Sequence, residues 1–198
     1  MAIAKKKKRF FDVEIPIIRK TTQLQAIELS ELEGKYIKYD LTRLLKGKSV
    51  LLDAKISIKD NEAVANPIGI TIMKHSLKNM VRKGTDYIED SFSAPCKDAQ
   101  VTIKTLLVAR RKISRRVRKA LREKAKKELL EEIKNKTGEQ IIDDILKNNM
   151  QKPLSLKLKK IYPLSLCEIR FFKIEKPIEG RTLRKQAVKQ EAEVEEKK

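Results

Sequence analysis

With 198 residues, 47 Lys or Arg against 27 Asp or Glu, and a net charge of +20, the chain reads as one domain with tails. Hydrophobic residues at 40% exclude a wholly disordered polycation, and 5% aromatics without tryptophan argue against a partner surface built on large aromatic anchors. So large a positive excess repels itself unless a polyanion neutralises it, which makes nucleic acid the first partner to consider and an anionic membrane surface the second.

Residues 1–9 form a basic arm in which Lys5, Lys6, Lys7, Lys8 and Arg9 stand in a row. Ordering it costs about 1–2 kcal/mol per residue, so it stays mobile until phosphates supply contacts. No secretory apolar region follows it, so no signal peptide is expected, and no apolar run approaches the roughly 20 residues of a membrane span.

From Phe10 to about Val108 the texture is strand. Ile15-Pro16-Ile17-Ile18 is expected to be extended, with the proline at an edge or a strand start. Residues 35–40 and 54–59 alternate polar and apolar at period two. The turn signal Asp60-Asn61 predicts a hairpin of residues 50–59 and 62–73, and Asn66-Pro67 with Gly69 predicts a bulge in its second arm. A short helix is expected over 75–83, ended by Gly84, and Gln100 to Val108 reads as a further strand.

At Ala109 the texture changes. Residues 112–134 lack Gly and Pro and are rich in good helix formers. Ile113, Val117, Leu121, Ala125, Leu129 and Ile133 recur every fourth residue, an apolar stripe that faces a core. Thr137-Gly138 ends this helix and starts a second with Ile141, Ile142, Ile145 and Leu146 inward; Pro153 opens a third, which Pro163 stops before a last strand over 165–174. From Pro177 the sequence alternates charge without apolar periodicity, a charged tail.

Catalytic chemistry is hard to find. Cys96 and Cys167 lie far apart without a CxxC spacing, which predicts two small buried hydrophobes in a reducing cytosol rather than a zinc site or disulfide. His75, the single histidine, has no evident nucleophile to serve, and the neighbouring Asp143 and Asp144 point about 100° apart on a helix. An enzyme would need His75 with Asp86 or Glu89 to hold a divalent metal. The expectation is no enzyme, no catalytic residue, no metal, no cofactor and no small-molecule substrate.

The charge pattern is informative where the catalytic one is not. Arg110, Arg111, Lys112, Arg115, Arg116, Arg118, Lys119, Arg122, Lys124, Lys126 and Lys127 crowd into positions 110–127, where Glu123 is the one acid. Arg111, Arg115, Arg118, Arg122 and Lys126 follow helical steps of three and four, a ridge beside the apolar stripe. A solvated helix face mixes signs; repulsion along this ridge must be offset from outside, as phosphates along a nucleic-acid backbone would do. The stripe opposite is Ile, Val, Leu and Ala, consumed by the protein's own core, so a membrane-surface helix fits poorly. With no zinc finger and no readable recognition helix, a backbone reader of irregularly folded RNA is the best reading.

Several segments carry a resemblance. Arg9-Phe10-Phe11-Asp12-Val13 with Pro16, then Glu33-Gly34-Lys35-Tyr36-Ile37 leading to Asp40-Leu41, resemble the opening of the small-subunit ribosomal protein 3a family of archaea and eukaryotes. Val108-Ala109-Arg110-Arg111-Lys112-Ile113 with Arg115 and Arg116 is similar to that family's basic segment, and Lys160-Ile161-Tyr162-Pro163-Leu164 to its carboxy-terminal signature. The amino-terminal arm is shorter than in eukaryotic members, so no contact of their longer arms is carried over. The resemblance implies a structural protein of the ribosomal platform near the messenger exit side. Its partners would be small-subunit ribosomal RNA, neighbouring small-subunit proteins and messenger RNA at the exit, with no membrane, on cytoplasmic ribosomes.

The expected architecture is α+β: an antiparallel, barrel-like sheet from 10–108 and 165–175 with a helical segment 112–161 packed on it, making one domain over 10–176 between the arm and a tail of 177–198. The alternative is a chromatin or ribosome-assembly protein that binds duplex nucleic acid away from the finished ribosome.

Overall fold

A computed structural model describes residues 7–45, 48–59 and 62–177. Lys5, Lys6, the Asp60-Asn61 turn and the tail beyond Pro177 lie outside the described residues. The class is α+β, with eight strands in one sheet and four α-helices among the described residues.

β1 (Arg9–Ile15) and β2 (Lys20–Ala26) form an antiparallel hairpin that the sequence reading did not anticipate. Pro16 opens its turn instead of extending a strand: Ile18 N–H donates to Ile15 O at 3.2 Å, and Arg19 adopts a left-handed φ of 54° to close it. Proline is preset for the second position of such a turn. After a 3-10 turn at Leu29–Leu32, β3 (Tyr36–Asp40) pairs with β4 (Val50–Lys59), and β4 pairs along its length with β5 (Glu62–Ile72). The expected bulge is present. Asp53 faces Gly69 and Ala54 faces Pro67, leaving Ile68 as the extra residue.

β5 is forked. Its free edge takes β1 beside Ala63 and Val64, the one parallel pairing, and further on takes β8 (Leu164–Pro177) beside Gly69–Thr71. Pro67, which has no N–H to donate, falls in the interval between those two partners. At Gly69 a Cβ would lie 2.7 Å from the Phe172 carbonyl oxygen, so only glycine lets β8 approach.

α1 (Lys74–Met80) ends short of the predicted 83, because Val81 is already extended; Gly84, with φ +83°, turns the following loop instead. β6 (Tyr87–Pro95) was also unforeseen and pairs with β7 (Ala99–Ala109), which pairs in turn with β8. Strand order is therefore β2-β1-β5-β8-β7-β6 with β4 and β3 branching from β5, an open sheet in which β2 and β6 are end strands.

α2 runs from Arg115 to Lys134, three residues later than predicted at its start, with Ser114 as the N-cap. Its Leu121, Ala125, Leu129 and Ile133 are buried as the stripe requires, and it packs on β6. α3 (Gly138–Leu146) starts with a capping box between Thr137 and Gln140 and buries Ile141, Ile142 and Ile145. α4 (Gln151–Lys159) tolerates Pro153 in its first turn and buries Leu154 and Leu158 against β8, while Leu156 points to solvent. Cys96 and Cys167 are free and buried, and burial pushes the Cys167 thiol up to about 12, so it packs as a hydrophobe.

Ion pairs join α2 to α4 where the charge of α2 becomes mixed. Lys157 Nζ lies 2.5 Å from Glu128 Oε2 and 4.0 Å from Glu132 Oε1. The hydrogen bond from Lys157 holds the Glu128 carboxyl below the usual carboxylate range, whereas burial raises that of Glu132. Glu128 thus adds stability that is present at neutral pH and lost as pH falls through its lowered value. Glu132 opposes folding while ionised and ceases to as it protonates. Glu128→Gln is expected to lower the melting temperature at neutral pH and Glu132→Gln to raise it. Melting curves in strong acid should show both differences shrinking.

Candidate nucleic-acid interface

The chain leaves β7 at Ala109 and enters a loop, so Arg110, Arg111 and Lys112 precede the helix instead of standing on it, which removes Arg111 from the predicted ridge. All three are exposed. Asp86 fixes this loop from the other side: its carbonyl accepts from Ala109 N–H at 2.9 Å and its Oδ2 accepts from Ile113 N–H at 2.9 Å. Ser114 then caps α2, its Oγ accepting from Val117 N–H at 3.5 Å.

On α2 the remaining basic residues divide. Arg115, Lys119, Arg122 and Lys126 are exposed and, at 100° per residue, fall within a sector of about 60°. Arg116 and Lys127 are exposed beside them. Arg118 differs. It is half-buried, its guanidinium 3.6 Å from Asp86 Oδ2 and donating to Ile113 O at 3.5 Å, while its Nε is buried without a hydrogen-bond partner. Arg118 is spent largely inside the protein. The one acid of the segment, Glu123, pairs with Lys119 at 3.8 Å across exposed side chains, a contact worth little in water. Lys126 also lies over the Phe92 ring, 5.8 Å from its centroid.

The ridge is electrostatically misplaced for a protein alone. The first turn of α2 has no acid, and Arg115 and Arg116 sit at the positive end of the helix dipole. Like charges at steps of three and four repel along the same line. An anion laid along this face relieves both costs. At the other basic cluster, Lys7 and Lys8 are exposed ahead of β1, and Arg9 opens that strand.

The residues weighed for metal chemistry serve elsewhere. His75 Nε2 lies 3.0 Å from Ser49 Oγ, Glu89 Oε1 accepts from Arg170 at 2.8 Å, and Asp86 clamps the basic loop. Among the described residues no three of His, Cys, Asp and Glu gather where they could hold a metal ion. Asp86 is the functional residue that sequence reasoning missed, because its partners lie 23 to 32 positions along the chain.

The family model for the Ribosomal S3Ae family matches residues 4–177, from within the basic arm to the end of β8. The chain belongs to that family. Two archaeal relatives, both small ribosomal subunit protein eS1, are similar to it. That of Nanoarchaeum equitans is 25% identical over 180 residues, covering 86% of this chain and 90% of the relative. That of Methanothermobacter thermautotrophicus is 25% identical over 114 residues, covering 57% and 58%. Membership of the S3Ae family supports a small-subunit ribosomal protein. No helix among the described residues is long and apolar enough to cross a membrane. The S3Ae match takes in Lys5 to Arg9 and the whole of 110–127, and it stops where the charged tail begins.

Proposed function

We propose that this S3Ae protein binds small-subunit ribosomal RNA through two basic elements: the arm with Lys5, Lys6, Lys7, Lys8 and Arg9, and the segment with Arg110, Arg111, Lys112, Arg115, Arg116, Lys119, Arg122 and Lys126. The observation that carries this is the exposed ridge of Arg115, Lys119, Arg122 and Lys126 that starts at the positive end of α2, where the one solvent-exposed Lys119–Glu123 pair offsets little of the repulsion. Arg118 belongs to the same segment by sequence but acts by holding the ridge to Asp86. Binding is through phosphates and shape, not through base edges, so the function is positioning: the protein fixes a fold of ribosomal RNA and performs no turnover. On this reading the protein sits on the platform near the messenger exit side, a position that its membership of the S3Ae family supports. Neighbouring small-subunit proteins and passing messenger RNA are the further contacts there.

The test is the salt dependence of binding to a folded small-subunit RNA fragment. With about 8 phosphates neutralised, log affinity should fall against log salt with a slope near −6 to −7. A slope shallower than about −2 would remove the phosphate reading. Equal affinity for duplex DNA, with the protein absent from small subunits on a sucrose gradient, would favour a chromatin or assembly role instead.

A further inference from the structure

Beside the basic loop the sheet carries a groove that phosphate contacts leave unexplained. Asn79, Met80, Arg82, Thr85, Val108, Ser165 and Leu166 enclose about 270 Å³ between the end of α1, the end of β7 and the start of β8. Its floor is apolar, from Met80, Val108 and Leu166, and its rim is polar, from the Asn79 amide, the Ser165 hydroxyl and the Arg82 guanidinium.

Tyr87 flanks it. In the β6–β7 register Tyr87 is directly opposite Val108, and in the β7–β8 register Leu166 is opposite Val108 on the other side. Directly opposed residues share a face. The row therefore leaves the groove floor at Leu166 and Val108 and ends beside it on Tyr87, 52% exposed. The wall is preformed: Thr85 Oγ1 donates to Arg82 O at 2.7 Å, and Gly84 at φ +83° makes the tight turn between them.

The surroundings are cationic. Asp86 ties the 81–86 loop to the 109–113 loop through Ala109 N–H and Ile113 N–H, and the two loops carry the exposed Arg82 and Lys83 and the exposed Arg110, Arg111 and Lys112. The nearby acids are engaged, Asp86 with Ile113 and Arg118 and Glu89 with Arg170. An exposed aromatic ring, an apolar slot with hydrogen-bonding groups at its rim and arginines at its mouth are the requirements of an unstacked base. An uncharged peptide side chain would have no use for the cations on the two joined loops.

We propose that this groove takes one unpaired nucleobase of RNA, stacked on Tyr87, with its own phosphates held by Arg82 and Arg110. The inference rests on the RNA-binding reading and deepens it: part of the recognition is of a splayed nucleotide, not of backbone alone.

The experiment compares the full chain's affinity for a perfect RNA duplex and for the same duplex with one bulged uridine. The wild type should prefer the bulged RNA by about tenfold, within the range that stacking one base supplies. Tyr87→Ala should abolish the preference and Tyr87→Phe should keep it. Neither should change perfect-duplex affinity or its salt slope, and melting curves will show that both variants are folded. No preference in the wild type, or a preference that survives Tyr87→Ala, overturns the groove and leaves the phosphate reading standing. Salt-independent binding to both RNAs overturns both. In assembled small subunits, Tyr87→benzoylphenylalanine should crosslink to RNA; a crosslink to a neighbouring protein overturns the assignment.

Discussion

Alanine at Arg115, Lys119, Arg122 and Lys126 together is expected to weaken RNA binding by about a hundredfold or more near physiological salt, and to make the salt slope shallower by about 3. The magnitude follows from counterion release, since each lost phosphate contact removes roughly 0.7–0.9 from the slope. The same variant should melt at the same temperature as the wild type or higher. All four side chains are exposed, alanine is the better helix former, and the change removes like charges from the positive end of α2. The two readouts move independently, which separates a binding face from a structural one. A matched fall in melting temperature would place the ridge in the fold's own stability.

Asp86→Ala, by contrast, should lower stability. It strips the acceptor from the Ile113 N–H, which is part-buried, and leaves Arg118 without its carboxylate. Losing the hydrogen bond costs about 1–3 kcal/mol, and the half-exposed ion pair adds less than about 1 kcal/mol. At about 2–4 °C per kcal/mol for a chain of this size, the melting temperature falls by roughly 5–10 °C. Asp86→Asn keeps an acceptor for Ile113 and should recover most of that loss. The double variant Asp86→Ala with Arg118→Ala should cost less than the two single changes summed, because each removes what the other was compensating. RNA affinity should fall as well in Asp86→Ala, since the 110–113 loop loses the anchor that presents its three cations.

These two experiments probe features that differ in how plainly the sequence announces them. The apolar stripe of α2, the Thr137–Gln140 start of α3 and the β4–β5 hairpin with its bulge are local patterns, each decided within about two dozen residues. β6 is not. Its inward row is Ile88, Asp90, Phe92 and Ala94, and the aspartate breaks the alternation that would have marked a strand. β2, with Thr22, Leu24 and Ala26 inward, is too weakly apolar to announce itself, so Pro16 read as part of a strand when it makes the turn between two. At the candidate site the basic composition was legible and its partition was not. Arg118 is indistinguishable from its neighbours in sequence. Only a carboxylate placed 32 positions earlier turns it inward, and such a partner is a property of the fold.

The position of β8 has a consequence for synthesis. Among the described residues, this strand lies between β5 and β7 and supplies the only ladder joining the sheet's two halves. Until the ribosome has translated residues 164–177, the nascent chain can assemble β1–β5 and the β6–β7 hairpin, yet the two cannot merge. Both present open edges to solvent, β5 at Gly69–Thr71 and β7 along its length. Such edges invite pairing with other chains. The two halves therefore join only once residues 164–177 have been made, and contacts of high sequence separation make that closure slow. An emerging S3Ae chain is thus most exposed to aggregation until β8 is made, the interval in which a chaperone would protect it most.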